Sequence, residues 1–269
     1  MTEHAGGSAT RWGPLFGAGA ASWADTWEGA AGWGIPVYEH VLDRARIGDG
    51  VRVLDCGCGA GRFAVLAAQR GAVVAGIDAS AELVEIAAAR VPDGEFRAGD
   101  MEALPWNSDT FDVVTGFSAF QFADDKLRAL REAGRVARSL VAVVIPARAA
   151  ESGVAAVFKP AFPLFGEQAV ASLKQSGIFA LSEPGLLDRT VAAAGLTPIS
   201  DDEVDCTVVF DDVASAERAF MGAGPMQLAI GVSGEAAVAD AVRVGLEPHV
   251  TRDGTVVLDS WFRALLASS

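Results

Sequence analysis

Lysine is nearly missing, with Lys126, Lys159 and Lys174 the three in a chain of 269 residues. Basic side chains number 21 against 35 acidic ones, a net charge of −14. A surface of that sign repels phosphate backbones and anionic headgroups, so neither nucleic acid nor membrane is expected as a partner. Cysteine is scarce too. Cys56, Cys58 and Cys206 are too few for a disulfide framework, and an odd number suits a reducing, cytoplasmic compartment. Cys56 and Cys58 stand one residue apart with no matching His or Cys cluster, which falls short of a zinc site, and no metal is expected. There is no uncharged apolar run of about 18 residues, the length of a membrane span. The opening MTEHAGGSATRWG carries an acid and no apolar core of signal-peptide length. No internal repeat occurs.

What is present is a rich core: half the residues are hydrophobic, which excludes disordered and collagenous classes. Four of six tryptophans fall in the first 33 residues, as Trp12, Trp23, Trp27 and Trp33. A helical period follows from Pro36 to Ala45. Strands and helices then alternate. VRVLD (51–55), AVVAGI (72–77), EFRAG (95–99), FDVVTGF (111–117) and LVAVVIP (140–146) read as strands. Helices are predicted at about 62–70, from Ser80 to Pro92 and at about 123–138, with Ser80 as a cap. Such alternation predicts a parallel sheet covered on both faces. Past Pro146 the pattern loosens. Residues 147–181, rich in Phe and Pro, are expected to form an insertion packed near the site, followed by a helix to Gly195. LTPIS and VDCTVVF (204–210) supply strand material, and 213–247 is mostly helical. A final strand pair, HVTRDG and TVVLDSWFRALLA, is predicted to turn at Asp253 and Gly254.

The informative run is Asp55-Cys56-Gly57-Cys58-Gly59-Ala60-Gly61, where the first strand meets the first crossover helix. Alternate glycines allow a tight turn, bring a ligand against bare main chain and expose helix N-terminal amides. A dinucleotide turn would have a small residue at position 62, which is Arg62 here, so the spacing favours a nucleotide-like ligand without a pyrophosphate. Asp78, at the tip of the second strand, can accept hydrogen bonds from two ribose hydroxyls. Asp100 can take an exocyclic adenine amine, and the Met101 thioether can lie along a purine face. Together these positions describe a pocket for an adenosine with a cationic tail.

On these residues the chain resembles the class I S-adenosylmethionine-dependent methyltransferases, in particular the small-molecule branch of ubiquinone and menaquinone methylases. VLDCGCGAGR, GIDAS, GDMEALPW and FDVVTGFSAFQF carry the resemblance, in order, within residues 35–148. It implies an α/β, Rossmann-like, doubly wound and mostly parallel seven-stranded sheet with an N-terminal helical cap and helical insertions. The whole chain, 1–269, then reads as one domain: an aromatic cap (1–48), a cofactor-binding core (49–148), and insertions with the final strands (149–269). The implied cofactor is S-adenosylmethionine, with Asp55, Cys56, Gly57 and Gly59 at the methionine end, Asp78 and Ala79 at the ribose, and Asp100, Met101 and Glu102 around adenine. The resemblance also implies that Phe117 and Ser118 flank the amino acid moiety and face the transferred methyl. Two departures stand out. Ala137-Arg138-Ser139-Leu140 replaces the usual Pro-Gly-Gly turn, and Phe117-Ser118-Ala119-Phe120 is not the Asn-Pro-Pro-aromatic signature of DNA and glutamine-amide methylases.

The expected activity is methyl transfer to an O, N or C atom of a small metabolite. A sulfonium already activates its methyl, so positioning and water exclusion suffice and no catalytic residue is singled out. Trp23, Trp27, Phe120, Gln121 and Phe122 are candidates to bind the acceptor, with packing as the plain alternative. His40, on the polar face of its helix, reads as solvent-exposed, and His249 as structural. Three other functions stay open: a catalyst that keeps the cofactor pocket for another reaction, a noncatalytic sensor, and a nicotinamide oxidoreductase, the last disfavoured by Arg62.

Overall fold

The computed structural model describes residues 7–29, 32–167, 170, 173 and 176–269. The opening residues 1–6 and part of the 147–181 insertion lie outside them. Seven strands form one sheet, β1 (Arg52–Cys56), β2 (Val73–Asp78), β3 (Glu95–Ala98), β4 (Phe111–Phe117), β5 (Ala137–Ala147), β6 (Thr197–Asp205) and β9 (Trp261–Ser268). Their order is β3-β2-β1-β4-β5-β9-β6, with β9 antiparallel to both neighbours and the other pairs parallel. The chain runs outward from β1 to β3, then returns to the opposite side of β1 at β4. That reversal opens a crevice at the carboxyl ends of the strands.

Period-two alternation sends each strand's side chains to two cores. Val53, Val113, Val144 and Phe262 face one, with Val41 of α3 (Ile35–Arg44) and Phe63 of α4 (Arg62–Gln69). Leu54, Val114, Val143 and Leu265 face the other, with Leu130 of α6 (Lys126–Val136) and Leu187 of α8 (Leu186–Ala193). Between them α5 (Ala81–Arg90) starts where the Ser80 hydroxyl accepts from the Leu83 amide at 3.1 Å, as its cap position predicts. Asp125 caps α6 in the same way. Among the described residues no helix is long and apolar enough to cross a membrane.

Three boundaries differ from expectation. First, α6 passes into β5 without a loop, so β5 begins at Ala137, and the missing Pro-Gly-Gly turn is replaced by a shift of register against Phe111 and Val113. Second, β6 ends at Asp205, and 208–210 forms β7 of a separate two-stranded sheet with β8 (Val256–Leu258). Asp205 turns the chain by accepting the Thr207 amide at 2.8 Å, while the Cys206 amide donates to the Ser260 carbonyl at 2.8 Å. Third, the same corner splits the last strand. Its predicted partner HVTRDG contributes one bridge, Val250 to Val256, although the turn at Asp253 and Gly254 forms.

Over the crevice lies a cap of α1 (Ser8–Ala18) and α2 (Ala20–Asp25). Helix α1 rests on the tip of β2 so closely that a methyl group on Gly13 would strike the Ala79 carbonyl. Behind the cap come α7 (Gly153–Phe158), α9 (Val213–Met221), α10 (Gly224–Ser233) and α11 (Glu235–Leu246). Gly13→Val is expected to destabilise the protein by about 1–3 kcal/mol, the cost of overpacking, seen as a lower urea midpoint. An unchanged midpoint would mean that α1 does not sit against Ala79.

Candidate active site

The Gly-rich turn after β1 folds back onto β2. The Gly57 and Cys58 amides both donate to the Ile77 carbonyl, at 2.7 and 3.1 Å. Gly57 and Gly59 adopt φ of +70° and +54°, a conformation glycine takes at no steric cost. Asp78 is then held by two amides: Oδ2 accepts from Gly59 and Oδ1 from Ser80, each at 2.9 Å. Each oxygen keeps capacity for a further donor. Asp100 Oδ1 accepts from the Glu102 amide at 2.9 Å.

The outer side of the turn is gripped by a residue that no motif marks. Glu28 is 6% exposed. Its Oε1 accepts from the Trp23 indole at 2.6 Å and the Ala60 amide at 3.0 Å, and its Oε2 from the Arg62 amide at 3.0 Å. Ala60 lies in the turn and Arg62 opens α4, whose N-terminus favours an anion. Arg90 lies 3.7 Å from Oε2 and donates to the Ala24 and Ala60 carbonyls at 2.8 and 3.1 Å. A methyl group on Gly59 would collide with Glu28 Oε1. The second glycine of the turn is therefore required by the cap as well as by the backbone.

Burial shifts the carboxyls of this region. Desolvation raises the Glu28 pKa, opposed by its donors. It pushes Asp55 well up, against the Thr115 hydroxyl at 2.8 Å, and the charges of Glu28 and Asp78 raise it further. Asp78 is raised by burial and held down by the Ser80, Gly59 and Ala79 amides.

These groups surround a cavity of about 140 Å³. The acidic residues on its wall are Glu28, Asp55, Asp78 and Asp100, and no Lys, Arg or His lines it among the described residues. Gly57, Gly59, Ala79, Met101, Phe117 and Ser118 join them there, as do Trp23, Trp27 and Phe122. Phe122 meets Trp12 and Phe16 edge-on, with centroids 4.9 and 5.5 Å away.

Four expected residues are not on this wall, and each has a physical reason. Cys56 shares the Leu54 face of β1 and is buried in the core beneath the sheet. Glu102 is spent on structure, its Oε1 accepting from the Ser8 hydroxyl at 3.1 Å and the Asp124 and Asp125 amides at 2.8 and 3.2 Å. Phe120 turns under the sheet into the same core as Cys56, against Gly116. Gln121 is fully buried and donates to the Ile178 carbonyl at 3.3 Å. His40 binds Asp202 of β6 at 3.2 Å, and His249 does not reach the cavity. Sequence reasoning missed Glu28 and Tyr38, both on the wall. The acids Asp25 and Glu28 fall in one aromatic stretch, and no periodicity separates them.

Comparison with known proteins bears on this geometry. The family described as "Methyltransferase domain" matches residues 54–145. Demethylmenaquinone methyltransferase of Thermotoga maritima is 36% identical over 96 residues, 35% of this chain and 42% of that protein, so the match spans less than half of that relative's length. Malonyl-[acyl-carrier protein] O-methyltransferase of Erwinia pyrifoliae is 30% identical over 191 residues, 71% of this chain and 68% of that protein. The chain belongs to the class I S-adenosylmethionine-dependent methyltransferases. The crystal structure of YcgJ from Bacillus subtilis shares the fold, with a TM-score of 0.58 at 18% identity over 86% of this chain and 97% of that one. The wall of this family member fits the family's cofactor chemically. It offers carboxylates to a cation and to ribose hydroxyls, and it bears no cation among the described residues that would repel a sulfonium.

Two outcomes follow. Glu28→Ala leaves the Ala60 and Arg62 amides and the Trp23 indole without their acceptor and is expected to cost on the order of 1–3 kcal/mol in urea unfolding; an unaltered unfolding free energy would contradict the grip. Because the folded-state pKa of Asp55 is raised, its favourable contribution is complete below the unfolded value and is lost as pH rises through the folded one. Asp55→Asn should therefore be more stable than the parent at pH 8, with the gain fading as pH falls toward about 4, near the ordinary Asp value. A gain that is absent at pH 8, or that grows in acid, would contradict the shift.

Proposed function

We propose that this chain transfers the methyl group of S-adenosylmethionine to an O, N or C atom of a small-molecule acceptor. The observation that carries the reading is Asp78, fixed by two amides at the tip of β2 beside the Gly57–Gly59 turn, on a wall whose charges are all carboxylates. When bound, the cofactor supplies a methyl already activated by a positive sulfur. The chain's own residues bind and orient. Asp78 takes the ribose hydroxyls, Asp100 and Met101 border the adenine, and Asp55 and Gly57 with Phe117 and Ser118 border the methionine end.

Water exclusion falls to the aromatic cap, in which Trp23 and Trp27 cover the cleft and Glu28 holds it down. In this reading residues 49–148 hold the cofactor, and segments from 1–48 and 149–269 close the acceptor chamber. Names in the family carry acceptors as different as demethylmenaquinone and a malonyl group on acyl-carrier protein, so membership alone leaves the acceptor open.

Thermal shift with S-adenosylmethionine, S-adenosylhomocysteine and NAD is expected to show stabilisation by the first two, and a response to NAD alone would overturn the reading. Asp78→Ala should weaken cofactor binding by about 1–3 kcal/mol; unchanged affinity in calorimetry would remove its ribose role. Label transferred from the cofactor to small products of a metabolite extract separates an enzyme from a sensor.

A further inference from the structure

The cleft has two chemically different ends, and the order of strands separates them. Over β1, β2 and β3 lie the carboxylates Asp55, Asp78 and Asp100, with Glu28 at the start of α4. Over β4, β5 and β9 the wall is aromatic and aliphatic. Phe262 of β9 pairs with Pro146 at the carboxyl end of β5 and lies 4.7 Å from the Trp33 ring. Tyr38 stands edge-on to Phe117 at 4.6 Å. Val154 and Phe158 of α7 complete this end.

Both indoles here have their N–H groups committed elsewhere. Trp33 donates to the Ser260 hydroxyl at 2.9 Å and Trp27 to the Ala219 carbonyl at 2.7 Å. What they present to the cleft is ring surface. The polar atoms of this end are the Tyr38 phenol and the Ser118 hydroxyl. The latter is buried, without a hydrogen-bond partner among the described residues, on a residue with φ of +50°. A carboxylate or phosphate seated here would lose its water, find no cation on the described wall, and face the carboxylates of the other end, all of which oppose binding. A neutral ring system would lose nothing electrostatic and would gain stacking and burial against the rings.

We propose that the acceptor is an uncharged, largely apolar, ring-bearing molecule with a polar atom directed to Ser118 and Tyr38, and that this end of the cleft rejects anionic acceptors. The assignment rests on the methyl-transfer reading for the word acceptor, but the selectivity belongs to the wall itself. Three probes of one shape and different charge test it: 2-naphthol, 2-naphthoate and 2-naphthylmethylamine at pH 7, titrated calorimetrically with and without S-adenosylhomocysteine. The naphthol is expected to bind at least about tenfold more tightly than naphthoate in both arms, and than the ammonium probe when S-adenosylhomocysteine fills the acidic end, a ratio equal to about 1.4 kcal/mol. Ile178→Arg, a change at a half-buried wall position, should narrow the gap between naphthol and naphthoate. Absent naphthol binding, naphthoate binding as well as naphthol, or the ammonium probe binding as well as naphthol once S-adenosylhomocysteine fills the acidic end, overturns the proposal. A naphthol preference without any S-adenosylhomocysteine binding would sink the methyl-transfer reading and leave the wall's selectivity standing. Naphthoate preference with S-adenosylhomocysteine bound would sink this inference alone.

Discussion

One buried carboxylate ties the molecule together. Glu28 joins the aromatic cap to the turn and first residue of α4, its Oε1 accepting from the Trp23 indole and the Ala60 amide and its Oε2 from the Arg62 amide. An anion so deeply buried is costly unless charged and polar groups surround it, and here an indole, two amides and the Arg90 guanidinium do so. The result is mechanical as well as electrostatic. Arg90 on α5 also donates to the Ala24 and Ala60 carbonyls, so cap, Gly-rich turn and second crossover helix are joined by direct hydrogen bonds. The ligand-free site carries a strain of charge, with Glu28, Asp55 and Asp78 all disfavoured as anions by burial.

The sheet's first five strands were legible because each is a contiguous buried run followed by its own crossover, so the signal is local. Val53 and Leu54 each see one face, and no distant partner is needed to decide that they are strand. The C-terminal third was less so. Whether 204–210 is one strand or two depends on Cys206 meeting Ser260 across the corner, a pairing of residues 54 apart that neither segment announces. The motif residues on the backbone turn, Gly57, Gly59 and Asp78, fall where spacing alone puts them. Residues past the tip of β4 do not, because the left-handed backbone at Ser118 and the 3-10 turn over Phe120–Phe122 redirect the side chains. Phe122 reaches the cleft, whereas Phe120 and Gln121 turn into the core. Glu102 stands off the wall for a similar reason: the sequence marks an acid beside Asp100 but not the Asp124 and Asp125 amides that donate to it.

The strand order that makes the crevice also divides its labour. Acids cluster over the outward half of the sheet, β1 to β3, where loops are short and amides abundant. The return half, β4, β5 and β9, is roofed by inserted helices that bring hydrocarbon rather than charge. Polar recognition and apolar enclosure thus sit side by side, joined at Phe117 and Ser118.

The most direct test of the central claim, that loops at the carboxyl edge of the sheet grip S-adenosylmethionine beneath the aromatic cap, is a crystal structure with S-adenosylhomocysteine. Ribose hydroxyls are expected on the Asp78 carboxylate, the purine beside Met101 and Asp100, and the sulfur next to Phe117 and Ser118. Density for the nucleoside at any other place, or none at saturating concentration, would contradict it.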